Sequence, residues 1–166
     1  MNKAVILGCN YYIGLSTIRC LGKEGVHTVA VDYNENDRYG AESKYCSERL
    51  IAPYYQENKQ AFVDFLIDYA KKQTLKPVLI PCHDNYVEVI DEFCEELKPY
   101  YLFAQNKKGL ATTVMDKEKL HALAAAHGVN VPETVRRTEE NYVEEVAKRV
   151  GYPCIVKPTD SPRFVA

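Results

Sequence analysis

Apolar residues follow two rhythms along this chain. Short unbroken runs, KAVILG (Lys3–Gly8), VHTVAVD (Val26–Asp32) and PVLIPC (Pro77–Cys82), are bounded by glycine, proline or polar turns, the pattern of strands buried on both faces. Between them, apolar positions recur at steps of three and four. Ile13, Thr17, Ile18 and Leu21 predict one helix, stopped by Gly25; Phe62, Phe65, Leu66 and Tyr69 predict a second. Val87, Ile90, Phe93, Cys94 and Leu97 predict a third, running through DNYVEVIDEFCEEL. RLIAP reads as a short strand, YYLFA as a fifth strand or near-strand, and the polar NENDRYGAESKYCSE as a loop. Alternating strands and helices predict an α/β fold with a Rossmann-like, open, mostly parallel sheet covered on both faces, occupying residues 1–105.

The rhythm changes in residues 106–166. MDKEKLHALAAAHGV predicts a helix capped by Asp116 and ended by glycine. VPETVRR reads as extended, since Pro132 biases Val131 away from helix. TEENYVEEVAKRVG predicts a helix with Thr138 as its N-cap, and YPCIVKP a closing strand. An unpaired strand there would expose a sheet edge able to recruit a second copy, giving a homo-oligomer.

Composition narrows the function classes. With 46% hydrophobic and 27% charged residues the chain reads as globular, and a net charge of −2 argues against a nucleic-acid partner. The thirteen tyrosines are accompanied by no basic stripe, which disfavours base stacking. No apolar run is long enough to span a membrane, and MNKAVILGC lacks a signal-peptide cleavage site before Asn10. Six cysteines without a C-x-x-C pair fit a reduced, cytoplasmic protein.

Candidate chemistry gathers at strand ends. GCNYYIG departs from the dinucleotide fingerprint, with Asn10 and Ile13 where glycines belong, although Asp32 stands where a ribose-binding acid would. Five residues between Gly8 and Gly14, and no following Lys-Ser or Lys-Thr, exclude a P-loop. The helix start still offers N–H groups to a substrate anion, so Gly8, Asn10 and Gly14 are substrate-binding candidates. In PCHDNY, His83 and Asp84 join them at the carboxyl edge of the sheet. Adjacent residues on an extended strand point to opposite faces, so Cys82 and His83 do not share a metal; Asp84 also reads as the cap of the next helix. His121 and His127, six apart, do not share a helix face and read as solvent or packing residues.

MDKEKLHALAAAHGVNVPET, a helix, and then GYPCIVKP resembles the opening of an ATP-grasp ligase, and the preceding α/β region resembles the pre-ATP-grasp domain of that superfamily. Within it, the likeness is to carboxylate–amine ligases and the large-subunit type of carbamoyl-phosphate synthase. The resemblance implies that Lys117 and Lys157, 157 − 117 = 40 residues apart, hold ATP phosphates. It also implies ATP and Mg²⁺ as cofactors, and small-molecule carboxylate and amine substrates. The Mg²⁺ ligands are expected beyond Ala166, with 159–166 entering a phosphate-covering loop. This chain is then expected to be the front part of a larger ligase, inactive alone. The alternative is a stand-alone Rossmann-like nucleotide-binding or interaction module.

Overall fold

A computed structural model describes residues 1–36, 39–104 and 107–158. The expected domain boundary at 105/106 and the expected loop at 159–166 lie outside the described residues. The chain divides into two compact units, Met1–Thr112 and Thr113–Ala166.

The first unit is built on four parallel strands: β1 (Ala4–Leu7), β2 (Thr28–Asp32), β3 (Glu48–Ile51) and β4 (Val78–Pro81), in the order β3-β2-β1-β4. Helices α1 (Tyr12–Lys23), α2 (Lys59–Lys71) and α3 (Asp84–Glu92) follow β1, β3 and β4, and a short 3-10 turn (Tyr39–Glu42) follows β2. Every residue of β1 and β2 is buried, as their unbroken apolar runs require. Strand alternation divides the core between the two faces. Val5, Leu7, Val29, Val31 and Leu79 pack with Phe62, Val63 and Leu66 of α2 and Val89 and Ile90 of α3. Ala4, Ile6 and Ala30 pack with Ile18 of α1. YYLFA is a near-strand: Leu102 makes one parallel bridge to Val78, and Tyr101, fully inside, donates its hydroxyl to Leu66 O at 2.6 Å.

α1 ends as the glycine predicts. Gly25 takes φ +76°, Val26 N–H donates to Leu21 O and Gly25 N–H to Gly22 O, closing the helix's orphan carbonyls. Its core face differs from the expected one. Gly14 and Ile18 point inward while Ile13 is 42% exposed, because the helix starts at Tyr12 and turns Gly14 onto the strand-end loop. The third helix is also shorter than expected. It breaks at Phe93 (φ −104°, ψ 21°) into α3 and α4 (Cys94–Leu97), and Tyr86, Val89 and Ile90 form its buried face rather than Val87.

The second unit comprises α5 (Leu110–Met115), which begins in the first unit, then α6 (Lys117–Ala126) and α7 (Tyr142–Glu145), continued by a wide π-helical turn, Val146–Val150. Asp116 caps α6, accepting from Glu118 N (2.9 Å) and Lys119 N (3.1 Å), and these bonds hold its carboxyl below the usual range. Gly128 at φ +71° ends it by the same pair of bonds that closes α1. Thr138 is not an N-cap. Arg136 and Glu139 close a turn on each other, and the helix begins only after Asn141 at φ 55°. The expected closing strand and its open edge are absent too. Residues 151–158 form no ladder among the described residues, and Ile155 and Val156 are 82% and 92% exposed. An extended apolar run becomes a strand only when another strand supplies its hydrogen bonds.

No residue from 113 to 158 is buried. Ion pairs on Arg149 organise this region, with Glu133 at 2.7 Å, Glu139 at 3.0 Å and a donated bond to Thr134 O.

Candidate functional site

The strand order β3-β2-β1-β4 reverses direction between β1 and β4, and open α/β sheets hold ligands at the carboxyl ends of strands beside such a reversal. β1 runs into Gly8 and β4 into Cys82 and His83, so the two loops singled out in the sequence leave the sheet side by side. Gly8 has φ +81°, and a Cβ there would lie 3.1 Å from the Tyr86 ring and 3.6 Å from His83 Cβ. Gly8, His83 and Tyr86 therefore meet.

Gly14 secures the same turn from the helix side. A Cβ on it would stand 2.5 Å from Gly8 O and 2.9 Å from Cys9 Cα, contacts that only glycine permits. Asn10 is held by its backbone, its N–H donating to Asp32 Oδ2 at 2.8 Å. The other oxygen of Asp32 accepts Tyr33 N–H at 2.8 Å, and the residue is 3% exposed. The acid at the end of β2 thus ties the β1–α1 loop to the β2 exit.

His83, not Asp84, is the N-cap of α3. Its Nδ1 accepts Asn85 N–H at 3.3 Å, which places Asp84 as the first helical residue, exposed and favourably set at the positive end of the helix dipole. The imidazole is exposed and meets the Tyr11 ring edge-on at 6.0 Å. Cys82 turns the other way, buried, with Sγ 3.5 Å from Thr17 Oγ1, and burial pushes its thiol up. Burial pushes Cys9 up further. Neither supplies a thiolate nucleophile. Among the described residues no three His, Cys, Asp or Glu side chains group to hold a metal.

Sequence reasoning missed the aromatic wall behind this edge. Tyr33 stacks on Tyr54 at 4.1 Å, Tyr55 lies 4.7 Å from Tyr86, and Asn85 Nδ2 donates to Tyr55 Oη at 3.0 Å. Burial raises the pKa of Tyr33, Tyr55 and Tyr86, keeping their hydroxyls protonated at neutral pH. The YY pair carries Tyr54 and Tyr55, CHDNY carries Asn85 and Tyr86, and Tyr33 follows Asp32, but only folding brings the loops after β2, β3 and β4 together.

The two lysine candidates belong to the other unit. Lys117 is the first residue of α6, half-buried, directly after the Asp116 cap; Lys157 is exposed, just before Pro158.

No protein-family profile and no curated protein sequence matches this chain. Solved structures do. N5-carboxyaminoimidazole synthetase from Staphylococcus aureus, complexed with ADP, matches 96% of this chain over 39% of its own, at 18% identity and a TM-score of 0.62. A second structure of that protein matches 97% over 41%, at 18% identity and TM-score 0.59. The biotin carboxylase domain dimer of Hydrogenobacter thermophilus 2-oxoglutarate carboxylase, in complex with MgADP, ADP and bicarbonate, matches 92% over 34%, at 21% identity and TM-score 0.55. This chain thus spans between a third and about two fifths of the length of those chains. At these identities the likeness is one of fold alone.

Proposed function

We propose that this chain is the N-terminal part of an ATP-dependent ligase that joins a carboxylate to an amine, comprising a pre-ATP-grasp domain and the start of an ATP-grasp lobe. The observation that carries the reading is the structural match over more than nine-tenths of the chain to proteins solved with ADP or MgADP. In this reading Lys117 and Lys157 offer ammonium groups to ATP phosphates, point charges suited to a polyanion. ATP would supply the phosphoryl group that converts the carboxylate into an acyl phosphate, from which the amine displaces phosphate. The two lysines fit that ligand chemically. The described residues assemble no carboxylate group for Mg²⁺, so no metal step is assigned to them.

Gly8, Asn10, Gly14, His83 and Asp84 form the substrate edge of the first unit in this reading. The finer likeness to carbamoyl-phosphate synthase rests on Asp116–Lys117 and Lys157–Pro158 as sequence motifs. No helix is long and apolar enough to cross a membrane among the described residues. All six cysteines are free, which suits a cytoplasmic setting.

Calorimetric titration tests the reading. MgADP is expected to bind the wild-type chain weakly, with Kd on the order of 1 mM. Lys117→Ala and Lys157→Ala are each expected to weaken it about tenfold, the loss of a charge-assisted phosphate contact. The chain alone is expected to turn over no ATP. Equal binding by both variants, or saturable binding of NAD(H) abolished by Asp32→Ala, would favour the stand-alone Rossmann-like module instead.

A further inference from the structure

Asp91 is the only buried carboxylate of α3, 2% exposed, in a sequence context (VIDEF) that reads as an ordinary acidic helix face. Its oxygens collect donors from the start of the connector that leaves the first unit. Oδ1 accepts Gly109 N–H at 2.8 Å. Oδ2 accepts the Thr112 hydroxyl at 2.6 Å and Thr112 N–H at 3.3 Å. The Thr112 hydroxyl also lies 3.2 Å from Gly109 O, which closes the turn on itself. Gly109, at φ +82° with open space around it, lets the chain make that turn.

Hydrophobic packing does not hold this connector. α5 has no buried residue, and its Leu110 and Val114 are 43% and 36% exposed. The Asp91 carboxylate, inside the α/β unit, holds Gly109 and Thr112 directly. Such a contact is nearly all-or-none: a carboxylate with its donors withdrawn is penalised for burial, so partial loosening is disfavoured over either full engagement or hydration.

We propose that Asp91 is a latch on the connector. Closed, it holds residues 109–112 against α3; open, it frees those residues while the sheet stays folded. The opening is a sub-global event, cheaper than unfolding of the strands. The inference stands on these contacts alone and does not depend on the ligase reading.

Hydrogen exchange by mass spectrometry and limited trypsin digestion of the full 166-residue chain test it. Asp91→Asn keeps the shape but leaves one acceptor oxygen where there were two. It is expected to speed exchange at residues 109–112 about tenfold or more, the scale of a lost bond to a charged group. Cleavage after Lys108, which is exposed, rises alongside, while the amides of β1 and β2 keep wild-type protection. Thr112→Val removes only the hydroxyl donor and should give a smaller change at the same place. Wild-type exchange at 109–112 in Asp91→Asn would overturn the latch. So would a loss of protection there that only matches the loss in β1 and β2, since Asp91 would then be a general stability residue. Should Asp91→Asn fail to fold, the same comparison in Thr112→Val decides.

Discussion

Gly14 shows how much a single residue carries at this edge. The peptide of Gly8 lies where a side chain would begin, and backbone atoms cannot step aside as a flexible side chain can. Gly14→Ala is expected to cost about 2–3 kcal/mol in urea unfolding, the range of an overpacked core. A cost below about 0.5 kcal/mol would show that the α1 start can shift. The sequence singles out Gly8 and Gly14 as candidates at the start of the first helix, and the close approach of their backbones is what folding adds. It placed Asp32 as a potential ribose ligand, because nothing in the string shows that Asn10 N–H, twenty-two residues earlier, reaches its carboxylate. The sequence favours Asp84 as a cap for a similar reason. Aspartate caps helices more often than histidine does, and one residue's shift in the helix start transfers the role to His83.

At the scale of elements, β3 is the least buried of the four strands and is pinned from its side by charge. Glu48 meets Lys3 at 3.0 Å, His27 at 3.4 Å and the Tyr69 hydroxyl at 2.9 Å. Partial burial acts to raise the Glu48 pKa, but the bonds from Lys3 and Tyr69 outweigh it and hold the carboxyl below its ordinary value of 4.5. A depressed folded pKa means the contribution is present above pH 4.5 and is lost as pH falls through the folded value. Glu48→Gln should therefore cost about 0.5–1 kcal/mol at pH 7 and flatten the acid limb of the stability profile. Parallel pH profiles for the two proteins, offset by a constant, would show that Glu48 does not titrate on folding. Elements defined by their own period or caps (α1, α2, α6) were legible in the sequence. The closing strand was not, because a strand is a property of a pair.

Over the whole molecule, the first unit has a two-sided core and the second has no buried residue among those described. Burial is the main source of stability, so the two units should differ sharply. A chain ending at Thr112 is expected to fold, with the circular dichroism of an α/β protein and a melting temperature within about 5 °C of the full chain. Failure of that fragment to fold would mean that residues 113–166 contribute stability the exposed surfaces do not suggest. The matched chains are more than twice this length.

By itself, the sequence determined the order of the four sheet strands with α1, α2 and α6, the parallel sheet, the glycine stops and the Asp116 cap, since these follow from local period, capping chemistry and backbone freedom. Tertiary structure alone decided which polar groups met. It bound Asp32 to Asn10 and Asp91 to Thr112, set the Tyr86 ring beside Gly8, and left the last apolar run without a strand. Those outcomes depend on contacts between residues distant in the chain, and hydrogen bonds and packing are satisfied by neighbours in space.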